Sequence, residues 1–252
     1  MNTELYLSKL CLKPRKPSLA FLNEILASHQ KIISFNNLAV FFNPGEILNL
    51  ELGPLFEKVI LRQEGGYCFE NNKVLFYLLK SLGFEVEPKS ARVIYDKTGD
   101  VPRTHRTTLV TIGGDKFLAD VGFGRDVPPQ ALPLGVEQTT GHQVIIKDGL
   151  YYLQFLKGDS VINLYTFDDG HYQESDFTLA NYYTNTHPDS KFVKELIVSR
   201  KENDLIEFIS GRIFSRIKNN ERENFEIKTQ EEFQMYLSKF GIVRTYDFSR
   251  LY

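Results

Sequence analysis

A chain of 252 residues that is 42% hydrophobic can bury a sizeable core, and its charged fraction of 25% is typical of soluble globular proteins. Thirty basic residues against 32 acidic ones give a formal net charge of −2, so no basic excess indicates binding to nucleic acid or to an anionic membrane. We find no membrane-length apolar run and no apolar signal region at the amino terminus. With only two cysteines, Cys11 and Cys68, the chain is not a disulfide scaffold, and we expect it in the reducing cytoplasm.

Two segments in the first third show the apolar periodicity of amphipathic helices. One begins after Pro17-Ser18, and the other begins after the glycine pair Gly65-Gly66 and stops at Gly83. The middle third contains short β-rich runs instead. Gly113-Gly114 and Asp148-Gly149 each separate two such runs, as hairpin turns do, which predicts an antiparallel sheet or barrel.

The last third mixes strand-like and helical patterns. Residues 196–198 and 205–209 are typical of strands, whereas Thr229 and Glu232 have the spacing of a capping box that opens a helix. Helices, then strands, then a mixed segment predict an α+β chain with three compact subdomains.

Cys68 is the first candidate for chemistry because it follows two glycines at the start of a predicted helix. The partial positive charge and free N–H groups of a helix N-terminus stabilise a thiolate, and glycines let a ligand approach the backbone closely. The alternative is a buried structural cysteine, which is the ordinary role of such a residue. Cys11 keeps that structural interpretation.

A reactive thiolate needs a basic partner, most often histidine. His29 lies on the predicted amphipathic helix, where a packed core histidine is expected. The sequence around His142, His171 and His187 resembles loops. His105 differs because it opens a β-rich run and is therefore the best candidate base.

The hairpin provides a geometric test of His105. If Gly113-Gly114 is a two-residue turn, Ile112 pairs with Asp115 and Thr107 lies opposite Asp120. His105 then projects from the same sheet face as Asp120, on a diagonal that two polar side chains can bridge. A register shifted by one residue would place them on opposite faces.

The apolar neighbours of Asp120 indicate burial, and a buried carboxylate requires a partner. An imidazole would provide one, in the arrangement of a catalytic triad. The alternative is a solvated aspartate that caps a turn. Because the chain has neither a paired-cysteine motif nor a His-Glu-x-x-His motif, we expect no metal site.

At this point the motifs resemble those of the arylamine N-acetyltransferases. The resemblance is carried by five elements: Gly65-Gly66-Tyr67-Cys68-Phe69-Glu70-Asn71, His105, the run from Leu118 to Gly124, Ile33-Ser34-Phe35-Asn36-Asn37-Leu38, and the segment from Asn181 to Phe192. The order and spacing of these motifs agree with the family pattern.

The resemblance implies a helical bundle over residues 1–83, a β-barrel over 84–192 and an α/β lid over 193–252, around a core like that of cysteine proteases. It implies Cys68 as nucleophile, His105 as base and Asp120 as the residue that orients the imidazole. By the same resemblance, acetyl-CoA is the donor, and aromatic amines or hydrazines, including xenobiotics, are the acceptors.

The resemblance further suggests positions for the two substrates. Residues expected to contact the acceptor are Phe35, Val93 and Phe123. Residues expected to contact the CoA donor are Thr104, Gly122 and Gly124.

Two residues depart from the family pattern. Glu64 replaces an arginine before the glycine pair, and Asn36 replaces a glutamate after Phe35. We expect the two changes to compensate each other, since loss of one partner of a buried ion pair costs more than replacement of both. Arg62 is a candidate to supply the missing positive charge.

Other functions remain open at this stage. Transglutaminase-like hydrolases share the order Cys, His, Asp but commonly place Trp beside the nucleophile, and this chain has no Trp. Papain-like hydrolases separate Cys from His by far more residues than here. A binding protein that keeps the pocket without activity is the third alternative, and acetylation of Cys68 by acetyl-CoA distinguishes it from an enzyme.

Overall fold

The structure is a computed structural model that describes residues 1–95, 97, 99–219 and 221–252. Helices are concentrated in the first third of the chain and recur after the barrel: α1 Thr3–Lys9, α2 Leu19–Ile32, α3 Leu38–Phe42, α4 Leu52–Leu55, α5 Cys68–Ser81, α6 Glu174–Thr186, α7 Lys191–Lys194 and α8 Gln230–Lys239. Short turns of π and 3-10 geometry cover Phe56–Leu61, Gly124–Asp126 and Phe248–Leu251. Among the helices of these described residues, none is both long and apolar enough to cross a bilayer.

The strands form two antiparallel sheets within the described residues. Their bounds are β1 Phe35–Asn36, β2 Glu85–Val93, β3 Arg103–Ile112, β4 Asp115–Ala119, β5 Leu132–Pro133, β6 Gly141–Lys147, β7 Leu150–Lys157, β8 Ser160–Phe167, β9 Ile197–Glu202, β10 Leu205–Ser210, β11 Ile213–Lys218 and β12 Glu221–Glu226.

The larger sheet has the order β5-β4-β3-β2-β8-β7-β6 and curls until its two ends meet. The chain just after β5 reaches β6 at Val144, whose carbonyl accepts a hydrogen bond from the Gly135 N–H at 2.8 Å. This sheet is the predicted barrel, nearly closed, and the α+β fold class is confirmed.

The Gly113-Gly114 hairpin has the predicted register. Ile112 pairs with Asp115 and Thr108 pairs with Ala119 across β3 and β4. Both glycines have positive φ, which is the backbone that a two-residue hairpin turn of type I′ requires. Because β4 ends at Ala119, Asp120 is the first residue beyond the ladder and lies near the start of β3.

The smaller sheet has the order β1-β9-β10-β11-β12. Its first strand comes from the N-terminal segment, since Phe35 pairs with Ser199, and Phe35 also bridges to Gly66 just before α5. This sheet packs against α8 through a hydrophobic cluster that includes Val198, Ile209 and Phe233. The C-terminal strands are therefore attached directly to the loop that leads to Cys68.

The cores of the helical part, the barrel and the C-terminal sheet form three separate hydrophobic clusters. The division of the chain at residues 83 and 192 stays a prediction. α2 begins as predicted, with Ser18 as its cap, and α5 begins and ends as predicted, with Gly83 in the left-handed region after it.

The predicted capping box at α8 is only half correct. The Thr229 hydroxyl accepts a hydrogen bond from the Glu232 N–H at 3.2 Å, as expected. The Glu232 carboxylate, however, accepts from the N–H of Lys228 and not from that of Thr229. The side chain reaches one residue further back, so the reciprocal bond of a capping box is not made.

Candidate active site

Cys68 is the first residue of α5 and is 2% exposed. Its Sγ lies 3.6 Å from the backbone oxygen of Thr104, which places the thiol at the edge of the barrel. As the first helical residue, Cys68 contributes an N–H that no carbonyl within the helix can accept. The thiol therefore lies in the positive field of the helix N-terminus.

Gly122 allows the barrel loop to approach α5. A Cβ added at this position would lie 2.8 Å from the Cα of Cys68 and 2.6 Å from the Nδ2 of Asn72. Any side chain at position 122 would therefore push the loop away from the helix. The glycine keeps Cys68 and the loop that follows Asp120 in contact.

His105 and Asp120 meet as the hairpin register predicted. The imidazole Nε2 lies 2.6 Å from the Asp120 Oδ2, and both side chains are buried. Cys68 and His105 line the same cavity, and the hydrogen bonding and charge of the Cys68 sulfur act on the pKa of the imidazole. Burial by itself lowers the pKa of His105, but the Asp120 carboxylate and then Cys68 raise it to about 10. At neutral pH the imidazole of this arrangement carries a proton on each nitrogen.

Four hydrogen bonds hold the Asp120 carboxylate. Its Oδ1 accepts from Asn72 Nδ2 at 2.9 Å and from the Gly122 N–H at 2.7 Å, while its Oδ2 binds His105 and accepts from the Tyr165 hydroxyl at 2.8 Å. Burial raises the pKa of Asp120, but His105, Asn72 and Gly122 outweigh burial and lower it. The carboxylate is therefore ionised and fixed in orientation.

Two aromatic rings enclose the imidazole. The Phe123 ring lies edge-on at 5.1 Å from the His105 ring, and the Tyr165 ring lies at 4.8 Å from it. The two aromatic rings also contact each other, at 4.9 Å. This packing keeps water from the His105–Asp120 hydrogen bond.

A cavity of about 520 Å³ opens onto Cys68 and His105. All six residues predicted to contact a substrate line this cavity: Phe35, Val93, Thr104, Gly122, Phe123 and Gly124. Further lining residues come from α6, α7 and the smaller sheet, among them Tyr183, Phe192, Ser199 and Phe208. Across the described parts of the chain, no group of three or more His, Cys, Asp or Glu side chains is arranged to hold a metal ion.

Of the other histidines, His29 lies where the sequence predicted and His142 does not. His29 is fully buried on α2, as expected for a core residue. His142 was wrongly predicted to lie in a loop, since it is the second residue of β6, with its Nε2 at 2.9 Å from the Asp126 carbonyl. The flanking Gly141 suggested a loop, but it only begins the strand.

Sequence reasoning missed Asn72 and Tyr165. Asn72 is four residues after Cys68 on α5 and so shares its helix face, a spacing that could have identified it. Tyr165 comes from β8, which pairs with β2 through Val93, and nothing in the local sequence links it to Asp120.

The two departures at positions 36 and 64 are structurally linked. Asn36 Nδ2 donates to the backbone carbonyl of Glu64 at 2.9 Å, so a neutral hydrogen bond joins the two segments. The Glu64 carboxylate instead binds the Arg62 guanidinium, which also pairs with Glu57 near the surface. Arg62 therefore neutralises surface carboxylates and does not pair with residue 36.

Comparison with known proteins identifies the family of the chain. The sequence model of the N-acetyltransferase family matches residues 18–247. An arylamine N-acetyltransferase of Mycolicibacterium smegmatis is 31% identical over 94% of this chain and 90% of its own length. The solved structure of the arylamine N-acetyltransferase of M. tuberculosis superposes with a TM-score of 0.87 at 29% identity, covering 96% of this chain and 94% of that one.

A third relative was solved with a ligand. The structure of the Mycobacterium marinum arylamine N-acetyltransferase in complex with CoA has a TM-score of 0.90 at 25% identity, covering 99% of this chain and 97% of that one. Sequence and fold thus agree over nearly the whole length of the chain. The chain belongs to the arylamine N-acetyltransferase family.

Proposed function

We propose that the protein transfers the acetyl group of acetyl-CoA to arylamines and arylhydrazines by a ping-pong mechanism through an acetyl thioester on Cys68. The observation that carries this proposal is the buried hydrogen bond of 2.6 Å between His105 Nε2 and Asp120 Oδ2, in a cavity that the Cys68 thiol and His105 line together. This is the geometry of a nucleophile, its base and an orienting acid.

The first half-reaction exchanges one thioester for another. The Cys68 thiolate, which has given its proton to His105, attacks the acetyl carbonyl carbon of the donor. The bond from that carbon to the CoA sulfur then breaks, and CoA leaves as a thiol after His105 passes it the proton taken from Cys68. Because the bond broken and the bond formed are both thioesters, this step has no large free-energy penalty.

The second half-reaction needs His105 as a base. In acetyl-Cys68 the sulfur no longer carries negative charge or hydrogen-bonds the imidazole as a thiolate. The contribution of Cys68 that raises the pKa of His105 is then lost, which helps the imidazole to stay neutral after it has passed its proton to CoA. The neutral ring can accept the proton of the attacking amine, and Cys68 is released as the leaving group.

Backbone groups at the start of α5 are suited to stabilise the tetrahedral oxyanion. The N–H groups of Cys68 and Phe69 are among those that helix geometry leaves without an internal acceptor. The N–H of Gly122 is not available for this role because it donates to Asp120 at 2.7 Å.

The cavity lining supports the assignment of the two substrates. Phe35, Val93 and Phe123 offer an apolar surface on which a flat aromatic amine can stack next to the thiol. Thr104, Gly122 and Gly124 offer backbone and hydroxyl groups on the barrel side, where we place the acyl end of CoA. Because the thiol must remain reduced, we expect the protein to act in the cytoplasm.

Intact-mass analysis tests the proposal. Brief exposure to acetyl-CoA should add one acetyl group, and addition of an aromatic amine should remove it with formation of the acetylated amine. The Cys68→Ala variant should gain no acetyl group, whereas Cys11→Ala should behave as the wild type. A protein that binds CoA but never gains the acetyl group is a binding protein, and one whose acetyl group is lost only to water is a hydrolase.

A further inference from the structure

An ion pair between a buried carboxylate and a partly buried lysine lies beneath the first turn of α5. Glu70 is the third residue of this helix and is 2% exposed. Its Oε2 accepts a hydrogen bond from the Tyr67 N–H at 3.1 Å, and its Oε1 lies 2.6 Å from the Lys58 ammonium. The pair therefore lies directly behind the turn that presents Cys68.

The loop before Cys68 folds tightly over this carboxylate. A Cβ added at Gly66 would lie 2.6 Å from the Glu70 Oε2, so only glycine permits the approach. Lys58 is tied to the same loop, because its backbone carbonyl accepts a hydrogen bond from the Glu64 N–H at 3.1 Å. The carboxylate, the lysine and the loop form one unit.

The charge of Glu70 acts against the chemistry proposed for Cys68. Two negative groups two residues apart in a poorly solvated region repel each other, so an unpaired Glu70 carboxylate would oppose formation of the Cys68 thiolate. The Lys58 ammonium cancels that charge. The field of the helix N-terminus can then act on the thiol without opposition.

The nearby charged groups do not share this role. The Glu64 carboxylate is bound by Arg62, and Arg62 also binds Glu57 at the surface. Within the residues that the structure describes, Lys58 is the cation in direct contact with the Glu70 carboxylate.

We infer that Lys58 is a positioning residue that neutralises the buried Glu70 carboxylate and thereby keeps Cys68 in its reactive state. This inference rests on the proposed role of Cys68 as nucleophile. It predicts that the function of Lys58 depends on the carboxylate at position 70 and requires only a positive charge at position 58.

The rate of Cys68 alkylation by iodoacetamide at pH 7, followed by peptide mass spectrometry, tests the inference without any acetyl donor. Lys58→Met should slow alkylation on the order of tenfold, the change that one pKa unit of differential interaction between two protonation states produces. Lys58→Arg should restore most of the wild-type rate. The matched control is Lys31→Met, which removes a lysine paired with Glu202 at 2.5 Å on the surface and should leave the rate unchanged.

The double variant Lys58→Met/Glu70→Gln decides how Lys58 acts. It should alkylate within about twofold of the wild-type rate, because no buried charge remains to be neutralised. A double variant as slow as Lys58→Met, or a Lys58→Met variant as fast as the wild type, would overturn the inference.

Glu70→Gln alone covers the case in which Lys58→Met does not fold. Its amide oxygen can still accept from the Tyr67 N–H, so it should alkylate at least as fast as the wild type, and slower alkylation would contradict the inference. If acetyl transfer is absent while Cys68 is alkylated at the expected rates, the proposed function is contradicted. The inference about Lys58 is not.

Discussion

Asp120 and His29 are equally inaccessible to solvent and have opposite surroundings. Asp120 is 1% exposed and all its hydrogen-bonding capacity is used by His105, Tyr165, Asn72 and the backbone of Gly122. His29 is 0% exposed, and neither ring nitrogen has a hydrogen-bond partner among the described residues.

The difference shows how burial acts on an ionisable group. Partners that favour the charged form keep Asp120 ionised despite burial, and the same contacts raise the pKa of His105 to about 10. Without partners, burial alone lowers the pKa of His29 to about 3. His105 and Asp120 are therefore charged at neutral pH, whereas His29 remains neutral, and its unpaired ring nitrogens lower the stability of the core.

The change with the largest expected effect removes Cys68, the proposed nucleophile beside His105 and Asp120. Cys68→Ala should abolish acetyl transfer because no thioester can form, while circular dichroism and the melting temperature remain close to those of the wild type. Cys11→Ala should keep most activity, since Cys11 is exposed and lies outside the cavity lining. Normal turnover by Cys68→Ala would rule out the cysteine mechanism.

Removing the charge of Asp120 should lower acetyl transfer almost as much as removing Cys68. Asp120→Asn keeps the shape of the side chain, but the imidazole loses the carboxylate that orients it, and single-turnover acetylation should fall on the order of 10³-fold or more. The midpoint of the His105 titration measured by NMR should also drop well below 10. The control is Asp115→Asn at the exposed hairpin turn, which should change neither quantity.

Replacing His29 tests the effect of burying an ionisable group without hydrogen-bond partners. Unfolding gives this imidazole its ordinary pKa of 6.5. Below pH 6.5 the unfolded chain therefore binds a proton that the folded protein does not bind. The free energy of unfolding falls as the pH is lowered from 6.5 to about 3. Between pH 7 and pH 5 this loss is about 2 kcal/mol.

His29→Leu should remove this sensitivity and leave activity at pH 7 unchanged. Urea unfolding at pH 7 and pH 5 measures the effect, with exposed His171→Leu as the control. An acid-induced loss of stability that is the same in His29→Leu and the wild type would show that other groups are responsible.

The smallest expected effect concerns Phe123, which borders both the His105 cluster and the cavity. Phe123→Ser should weaken use of arylamines about fivefold, a factor that corresponds to ~1 kcal/mol of aromatic packing, and should slow acetylation of Cys68 less. Stopped-flow acetylation and steady-state turnover separate the two steps. If both fall together with the melting temperature, Phe123 is structural, and if acetylation alone falls, it contacts the donor.

Features set by local chain geometry could be predicted from the sequence. The Gly113-Gly114 turn determines which residues of β3 and β4 face each other, and this register places His105 on the side of Asp120. The start of α5 after Gly65-Gly66 was equally clear, because caps and glycines act over a few residues.

Features that depend on distant pairing could not be predicted. Tyr165 reaches Asp120 only because β8 pairs with β2, a contact 45 positions apart in the chain that no local pattern encodes. The Glu70 partner Lys58 was missed for a similar reason, since the turn over Phe56–Leu61 that directs its side chain has no capping signal. The positions of Asp120 and Glu70 thus followed from local sequence, whereas their partners depend on long-range contacts.

The two-residue strand β1 has a consequence for shortened or divided forms of the protein. Phe35 pairs with Ser199 on one side and bridges to Gly66 on the other, so the C-terminal sheet covers backbone groups beside the loop before Cys68. A chain cut at residue 192 would expose those groups as an open strand edge next to apolar Phe35, and such edges pair with other chains. Such a fragment should aggregate, and adding residues 193–252 as a separate polypeptide should restore solubility and thiol reactivity together.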